Sequence, residues 1–374
     1  MKTYIKIIAA LFMFAAIPAW SQEKLPQADK NPAVEKFDGT DVVWRDALKA
    51  PFALEGFPFV KEGAPLRRIP DTIKPEDISG GVFSLAWHTA GGVVRFRTDS
   101  PVIVLKAALK TPKTNLGHMP STGVSGFDVF ADKDRYVKTV NPMHYRAEAP
   151  TPVVEKIYRG AKAMRDYTVY LPLYNGVNYL QIGVSPDAKF ETPTPHKIKK
   201  PIVFYGSSIT QGACASRTSN CYTAMLCRAV DAPMINLGFS GNAKGEPKMA
   251  ELISGLDMSV FVYDYDHNAP DAVHLKKTHE PFFKIIRAAH PELPIIMISR
   301  FYGATDERTS AIRQTYENAV KNGDKKVWFI DGRDLVKDVD SSYITVDGCH
   351  PNDIGFYHMY KNTLPVLKEA LGEK

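Results

Sequence analysis

From residue 202 onward the chain alternates short, wholly apolar runs with longer amphipathic ones, and this alternation restricts the fold more than any other feature. The apolar runs occupy 202–205, 234–237, 258–263, 295–299 and 327–330; the helical ones occupy 222–230, 272–289, 308–321 and 354–371. A strand that is apolar on both faces needs cover on both, so the pattern predicts parallel β-α-β units with helices on either side of one sheet. Ligands of such sheets bind at the carboxyl ends of the strands. The chemistry of residues 201–374 is therefore to be sought there.

The preceding part reads differently. Short β-like runs at 82–87, 92–97, 102–107, 127–131 and 167–171 are broken by turn residues, with no helix-length amphipathic segment between them. This spacing predicts a β-sandwich over residues 35–190. Composition shifts at Glu191-Thr192-Pro193-Thr194-Pro195, a stiff Pro/Thr stretch that marks a linker over 191–200. A length of 374 residues suits two domains.

Residues 1–21 carry Lys2 and Lys6, an apolar run over 7–17, and then Pro18 and Ala19-Trp20-Ser21. That is the layout of a cleavable secretory leader ending at Ser21, and the run is too short to span a bilayer. The expected location is the periplasm or the exterior, with no membrane span. Losing Lys2 and Lys6 lowers the formal net charge from +6 to +4, with the remaining cations spread among Asp and Glu. Such a balance gives no argument for nucleic acid. The densest basic run, His196-Lys197-Ile198-Lys199-Lys200, reads as a solvated face of the linker. Cys214, Cys221, Cys227 and Cys349 would be free to pair in an oxidising compartment. Cys214 with Cys221 closes the shortest loop and is the expected bridge; Cys214 with Cys349 and free thiols remain alternatives.

The first strand of the α/β part runs into Gly206-Ser207-Ser208-Ile209-Thr210-Gln211-Gly212, a turn that presents Ser208 at the sheet edge. Near the end of the chain lies Asp347-Gly348-Cys349-His350-Pro351-Asn352. An Asp three residues ahead of a His can hold its Nδ1–H and leave Nε2 free to take a proton from a serine. Two further strand ends carry Gly238-Phe239-Ser240-Gly241-Asn242 and Asp264-Tyr265-Asp266-His267-Asn268. Ser208 N–H, Gly241 N–H and the Asn268 side-chain amide could together stabilise an oxyanion.

Serine, glycine, asparagine and histidine in this order, each at its own strand end, resemble the four blocks for which the SGNH hydrolases of the GDSL esterase/lipase superfamily are named. The resemblance implies a flavodoxin-like three-layer hydrolase domain. It assigns the nucleophile to Ser208, the oxyanion donors to Gly241 and Asn268, and the Asp-x-x-His pair to Asp347 and His350. It extends forward through Gly126-Phe127-Asp128-Val129-Phe130 and Tyr170-Leu171-Pro172-Leu173-Tyr174-Asn175-Gly176, which look like the jelly-roll-like sandwich preceding the hydrolase in a two-domain branch. Two departures stand out: Ser207 occupies the place where the superfamily usually has Asp, and the third block lacks Gly-x-Asn-Asp, so Asn268 is placed by its position after Asp264 and Asp266.

Other readings of these residues are weaker. Asp264, Asp266, His267 and His350 are of metal-ligand type, but their spacing matches no helical His-x-x-x-His site, and neither metal nor cofactor is expected. Ser240 lacks a full Gly-x-Ser-x-Gly elbow because Asn242 takes the last place. Trp44, Trp87 and Tyr145 are sugar-stacking candidates or core. The expected activity is hydrolysis of a small-molecule or polysaccharide ester by a Ser-His-Asp triad, with a short, O-acetyl group on carbohydrate as the substrate. A lipid or aryl ester hydrolase and an inert glycan-binding protein are the alternatives.

Overall fold

The computed structural model describes residues 33–112, 115–142 and 153–373; the expected leader and Tyr145 lie outside them. The first part contains strands β1 (Val34–Phe37), β2 (Thr40–Asp46), β3 (Ala53–Glu55), β4 (Val93–Thr98), β5 (Val102–Leu109) and β6 (Phe127–Ala131). It continues with β7 (Arg135–Val140), β8 (Val153–Arg159), β9 (Arg165–Tyr170), β10 (Val177–Val184) and β11 (Phe190–Glu191). They form two antiparallel sheets, β1-β2-β10-β5-β8 and β11-β4-β9-β6-β7, with β3 beside β4. Alternate residues such as Val94, Phe96, Ile103, Leu105, Val129 and Val169 meet in a core between the sheets. That period of two is what the sequence displayed.

One expected strand is absent. Residues 82–87 fall largely within a short helix, α1 (Gly80–Leu85), capped by Ser79, whose hydroxyl accepts from Val82 N–H at 3.2 Å. The segment leaves the sandwich between β3 and β4 and lies against the other domain. Ile69, Ile73, Ile78, Val82 and Ala86 pack with Val203, Ile235, Leu237 and Phe239. Apolar content alone does not separate a short buried helix from a strand, and here tertiary packing decides it.

After the one-turn α2 (Ser121–Val124) in the sandwich, the second part runs β12 (Ile202–Gly206), α3 (Ser208–Gln211), α4 (Tyr222–Val230), β13 (Met234–Gly238), α5 (Pro247–Ser254) and β14 (Val260–Asp264). It closes with α6 (Ala272–Ala289), β15 (Ile295–Ile298), α7 (Asp306–Lys321), β16 (Val327–Ile330) and α8 (Asp353–Ala370). The sheet order is β13-β12-β14-β15-β16, every pair parallel. Phe204, Val262 and Ile296 face α4 and α8, while Tyr205, Phe261 and Met297 face α5, α6 and α7. The order reverses at β12 and β14, and that switch point is where a doubly wound sheet opens its crevice.

The two parts share their cores. Val124, Phe130, Tyr170 and Leu173 of the sandwich pack with residues of α4 and β12. The Arg68 guanidinium, fully buried, donates to Asn236 O at 3.0 Å, Gly238 O at 2.7 Å and Leu85 O at 2.9 Å. The linker is pinned as well: His196 bridges Asp231 at 2.7 Å and Glu55 at 3.0 Å. Its basic run is paired at the surface, Lys197 with Glu373 and Lys200 with Asp257. All four cysteines are free thiols, so the expected Cys214–Cys221 bridge is not formed. Cys221 Sγ instead lies 3.5 Å from Thr218 O. No helix among the described residues is long and apolar enough to cross a membrane.

Candidate active site

At the end of β12 only glycine fits: a Cβ on Gly206 would stand 2.1 Å from Thr210 Oγ1 and 2.4 Å from Asp264 O. The chain therefore turns tightly into α3. Ser207 caps that helix, its hydroxyl accepting from Ile209 N–H at 3.1 Å and its N–H donating to Asp264 O at 3.2 Å. This gives the unusual Ser207 a clear local role. Ser208 is the first helical residue, so its N–H has no intrahelical carbonyl to meet. Tyr174 of the sandwich donates to Ser208 O at 3.2 Å.

His350 comes from the loop ahead of α8. Gly348, at φ +77°, allows the reversal there, and Asn352 caps the helix by accepting from Gly355 N–H at 3.1 Å. Ser208 Oγ lies 2.9 Å from His350 Nε2, and His350 Nδ1 lies 2.8 Å from Asp347 Oδ2. Asp347 Oδ1 also accepts from His350 N–H at 2.8 Å and Cys349 N–H at 3.0 Å. Burial works against the Asp347 carboxylate, yet the hydrogen bonds from His350 and Cys349 hold its pKa below the ordinary value. An ionised Asp347 fixes the proton on Nδ1, leaving Nε2 to accept from the serine.

Gly241 and Asn268 also meet, but their donors face protein acceptors. Gly241 N–H donates to Asn268 Oδ1 at 3.0 Å, and Asn268 Nδ2 donates to Phe239 O at 2.9 Å and Ala243 O at 3.0 Å. The turn holding Asn268 is anchored by a buried ion pair between Asp266 and Arg308, 2.7 Å apart. Arg308 also donates to Ala269 O at 2.9 Å, and Asp266 accepts from Arg300 N–H at 2.8 Å.

The four residues weighed as metal ligands do not share a centre. Asp264 faces Tyr222 Oη at 3.1 Å, Asp266 faces Arg308, and the His267 ring lies against Phe301 at 5.3 Å. Burial raises the Asp264 carboxyl to about 8, against the hydrogen bond from Tyr222 and with the charge of Asp266. Burial likewise pushes His267 well below its ordinary value, helped by Arg300, His350 and Arg308. Ser240 is tied into the loop, its N–H donating to Gln211 Oε1 at 3.0 Å. Trp44 and Trp87 are half-buried under cations: Lys106 lies 4.6 Å from the Trp44 ring, and Lys110 lies 4.0 Å from that of Trp87.

Residues 199–368 match the GDSL-like lipase/acylhydrolase family, and residues 42–190 match the family of N-terminal domains of SGNH-hydrolase-type esterases. The chain belongs to the SGNH/GDSL hydrolase superfamily. A Bacteroides ovatus protein described as a GDSL-like lipase is 29% identical, over 89% of this chain and 99% of that one, with a TM-score of 0.78. The fold is shared with a salicylyl-acyltransferase from a tetracycline biosynthetic pathway, at 19% identity over 88% of this chain and 98% of that one, TM-score 0.73. It is shared too with an acetyl xylan esterase from the rumen bacterium Butyrivibrio proteoclasticus, at 13% identity over 88% and 99% of the chains, TM-score 0.57. No curated protein sequence matches the chain.

Sequence reading of this SGNH hydrolase missed several residues around the site. Tyr174 and Arg68 reach it from the sandwich, Arg308 supports it from α7, and the His118 ring lies 5.5 Å from that of His350. Each belongs to a contact between distant parts of the chain, and no local spacing signals it.

Proposed function

We propose that this esterase/acylhydrolase of the GDSL/SGNH kind is a secreted serine esterase that removes short acyl groups, acetyl foremost, from carbohydrate. The observation that carries the reading is the continuous hydrogen-bonded line from Ser208 Oγ through His350 to Asp347, at 2.9 and 2.8 Å. Ser208 Oγ attacks the ester carbonyl as His350 Nε2 takes its proton. The imidazolium, held by Asp347, then protonates the leaving alkoxide. Water, deprotonated by the same imidazole, attacks the acyl-enzyme and releases the acid and Ser208.

For the substrate, support comes from the acetyl xylan esterase sharing the fold and from the leader-like residues 1–21. The test is hydrolysis of p-nitrophenyl acetate by the protein and by Ser208→Ala. The substitution should lower kcat by roughly 10⁴–10⁶, the range for loss of an activated nucleophile. Undiminished hydrolysis would end the serine mechanism, and a strong preference for octanoyl over acetyl ester would end the acetyl reading.

A further inference from the structure

Three side chains of metal-ligand type, from separate parts of the chain, converge beside the imidazole of the proposed triad. His118, Cys214 and His350 each bring one donor atom to within 4.8 Å of the other two. His118 occupies the tip of a turn closed by Met119 N–H donating to Leu116 O at 2.9 Å and Leu116 N–H donating to Met119 O at 3.2 Å. Met119 is buried in the core common to the two domains, so the exposed His118 is presented from a fixed base. Cys214 is buried and adopts φ +70°, a left-handed conformation unusual for a residue with a Cβ. Ala213 N–H, donating to Ser208 O at 2.8 Å, ties this backbone to the nucleophile's helix.

We propose that His118, Cys214 and His350 bind Zn²⁺, or a divalent cation of similar softness, and that its binding switches the esterase off. One thiolate and two imidazoles suit such an ion, with a fourth position left for water. Donors of a tetrahedral zinc site stand roughly 3.3–3.8 Å apart. Small rotations of His118 and Cys214 would draw the present group to that spacing. The partner that a metal-bound histidine requires is already in place, since Asp347 accepts from Nδ1 at 2.8 Å and leaves Nε2 for the ion.

On binding, Cys214 Sγ loses its proton to solvent, one Zn–S and two Zn–N bonds replace bonds from the hydrated ion to water ligands that leave to solvent, and the Ser208 Oγ–H to Nε2 hydrogen bond breaks. The Nε2 lone pair cannot both coordinate zinc and accept the serine proton, so occupancy and turnover exclude each other. This last step rests on His350 acting as the base.

The experiment uses the whole chain, freed of metal by a chelator that is then removed. Zn²⁺ is titrated against p-nitrophenyl acetate hydrolysis, and Co²⁺ binding is followed by its thiolate charge-transfer absorption. Zn²⁺ should abolish hydrolysis, and added chelator should restore it. His118→Ala, at an exposed position, and Cys214→Ser should retain metal-free activity while needing roughly 10–100-fold more zinc for the same loss, the range for an impaired metal site. The cobalt band should appear in Ser208→Ala, which is inactive, and vanish in Cys214→Ser. A missing band in Ser208→Ala overturns the site whether or not the protein hydrolyses esters. A band accompanied by unchanged or increased hydrolysis overturns the switch, as does equal zinc sensitivity in the protein and both variants. Failure of the protein to hydrolyse any ester counts against the esterase reading alone, because the band decides the site independently.

Discussion

On the His350 side of the site the hydrogen-bonding groups face Ser208, whereas on the Gly241 side they face one another. Asp347, His350 and Ser208 form one line of contacts in which Nε2 already receives the serine. Gly241 N–H is instead satisfied by Asn268 Oδ1, and both Asn268 amide hydrogens are directed at the carbonyls of Phe239 and Ala243. Electrostatic stabilisation is strongest from donors that need no reorganisation. If Ser208 is the nucleophile, as proposed, its activation is arranged in advance. Any help to the oxyanion from Gly241 and Asn268 must first exchange an existing hydrogen bond for one to substrate.

The contrast is broken most severely at Asp347. Asp347→Asn leaves the ring position available but presents an amide that favours the wrong tautomer, and kcat should fall by about 10⁴. A loss below tenfold, measured on p-nitrophenyl acetate, would show that the arrangement around His350 is not what drives attack. The next largest effect should come from Asn268→Ala, with kcat lower by roughly 10²–10³ and KM little changed if the amide turns to the oxyanion in the transition state. An unchanged kcat would make Asn268 a tie for the Gly241 loop and nothing more.

The Gly241 side also depends on the sandwich, because Arg68 holds the carbonyls of Asn236 and Gly238 at the end of β13. Arg68→Met would leave buried acceptors without donors. Urea unfolding should show a loss of about 2–3 kcal/mol, in the range for unsatisfied buried groups. An equal stability would mean that water or a relaxed backbone takes over, and the two domains would be less tightly joined than their shared core suggests.

Much of this arrangement was legible in the sequence where a local rule governed it. The helices at 222–230 and 272–289 coincide with α4 and α6, since apolar periodicity and boundary residues mark them: Asp271 caps α6, and Asp231 ends α4 at φ +53°. Asp347 and His350 share one tight turn, and Ser208 opens one, so local spacing suggested both. What the sequence did not disclose depends on distant partners. The 82–87 run became helical because its apolar face meets β13, and α5, a two-turn helix starting at Pro247, was too short for its periodicity to stand out. The direction of the Asn268 amide follows from carbonyls more than twenty residues away. The resemblance to SGNH hydrolases placed that residue at its strand end, but not its hydrogen bonds.

Asp264 lies beneath the Ser208 turn and offers a test read against pH rather than on activity. Its carbonyl oxygen receives Ser207 N–H at 3.2 Å, and its carboxyl group receives Tyr222 Oη–H at 3.1 Å. Burial raises that carboxyl from 3.8 to about 8, so the folded protein keeps a proton that the unfolded chain releases above about pH 4. Between those values the native state binds more protons than the unfolded one. This group therefore makes stability decline as pH rises, by at most about 1.4 kcal/mol per pH unit, with no contribution below pH 4 and no further decline above pH 8. Asp264→Asn should flatten this part of the profile, so that its stability relative to the parent improves steadily from pH 4 to pH 8 in denaturant titrations. Parallel profiles would mean that Asp264 is ionised in the fold. In that event a negative charge would stand under the Ser208 turn, and an oxyanion formed there, as proposed, would need the donors of the Gly241 side all the more.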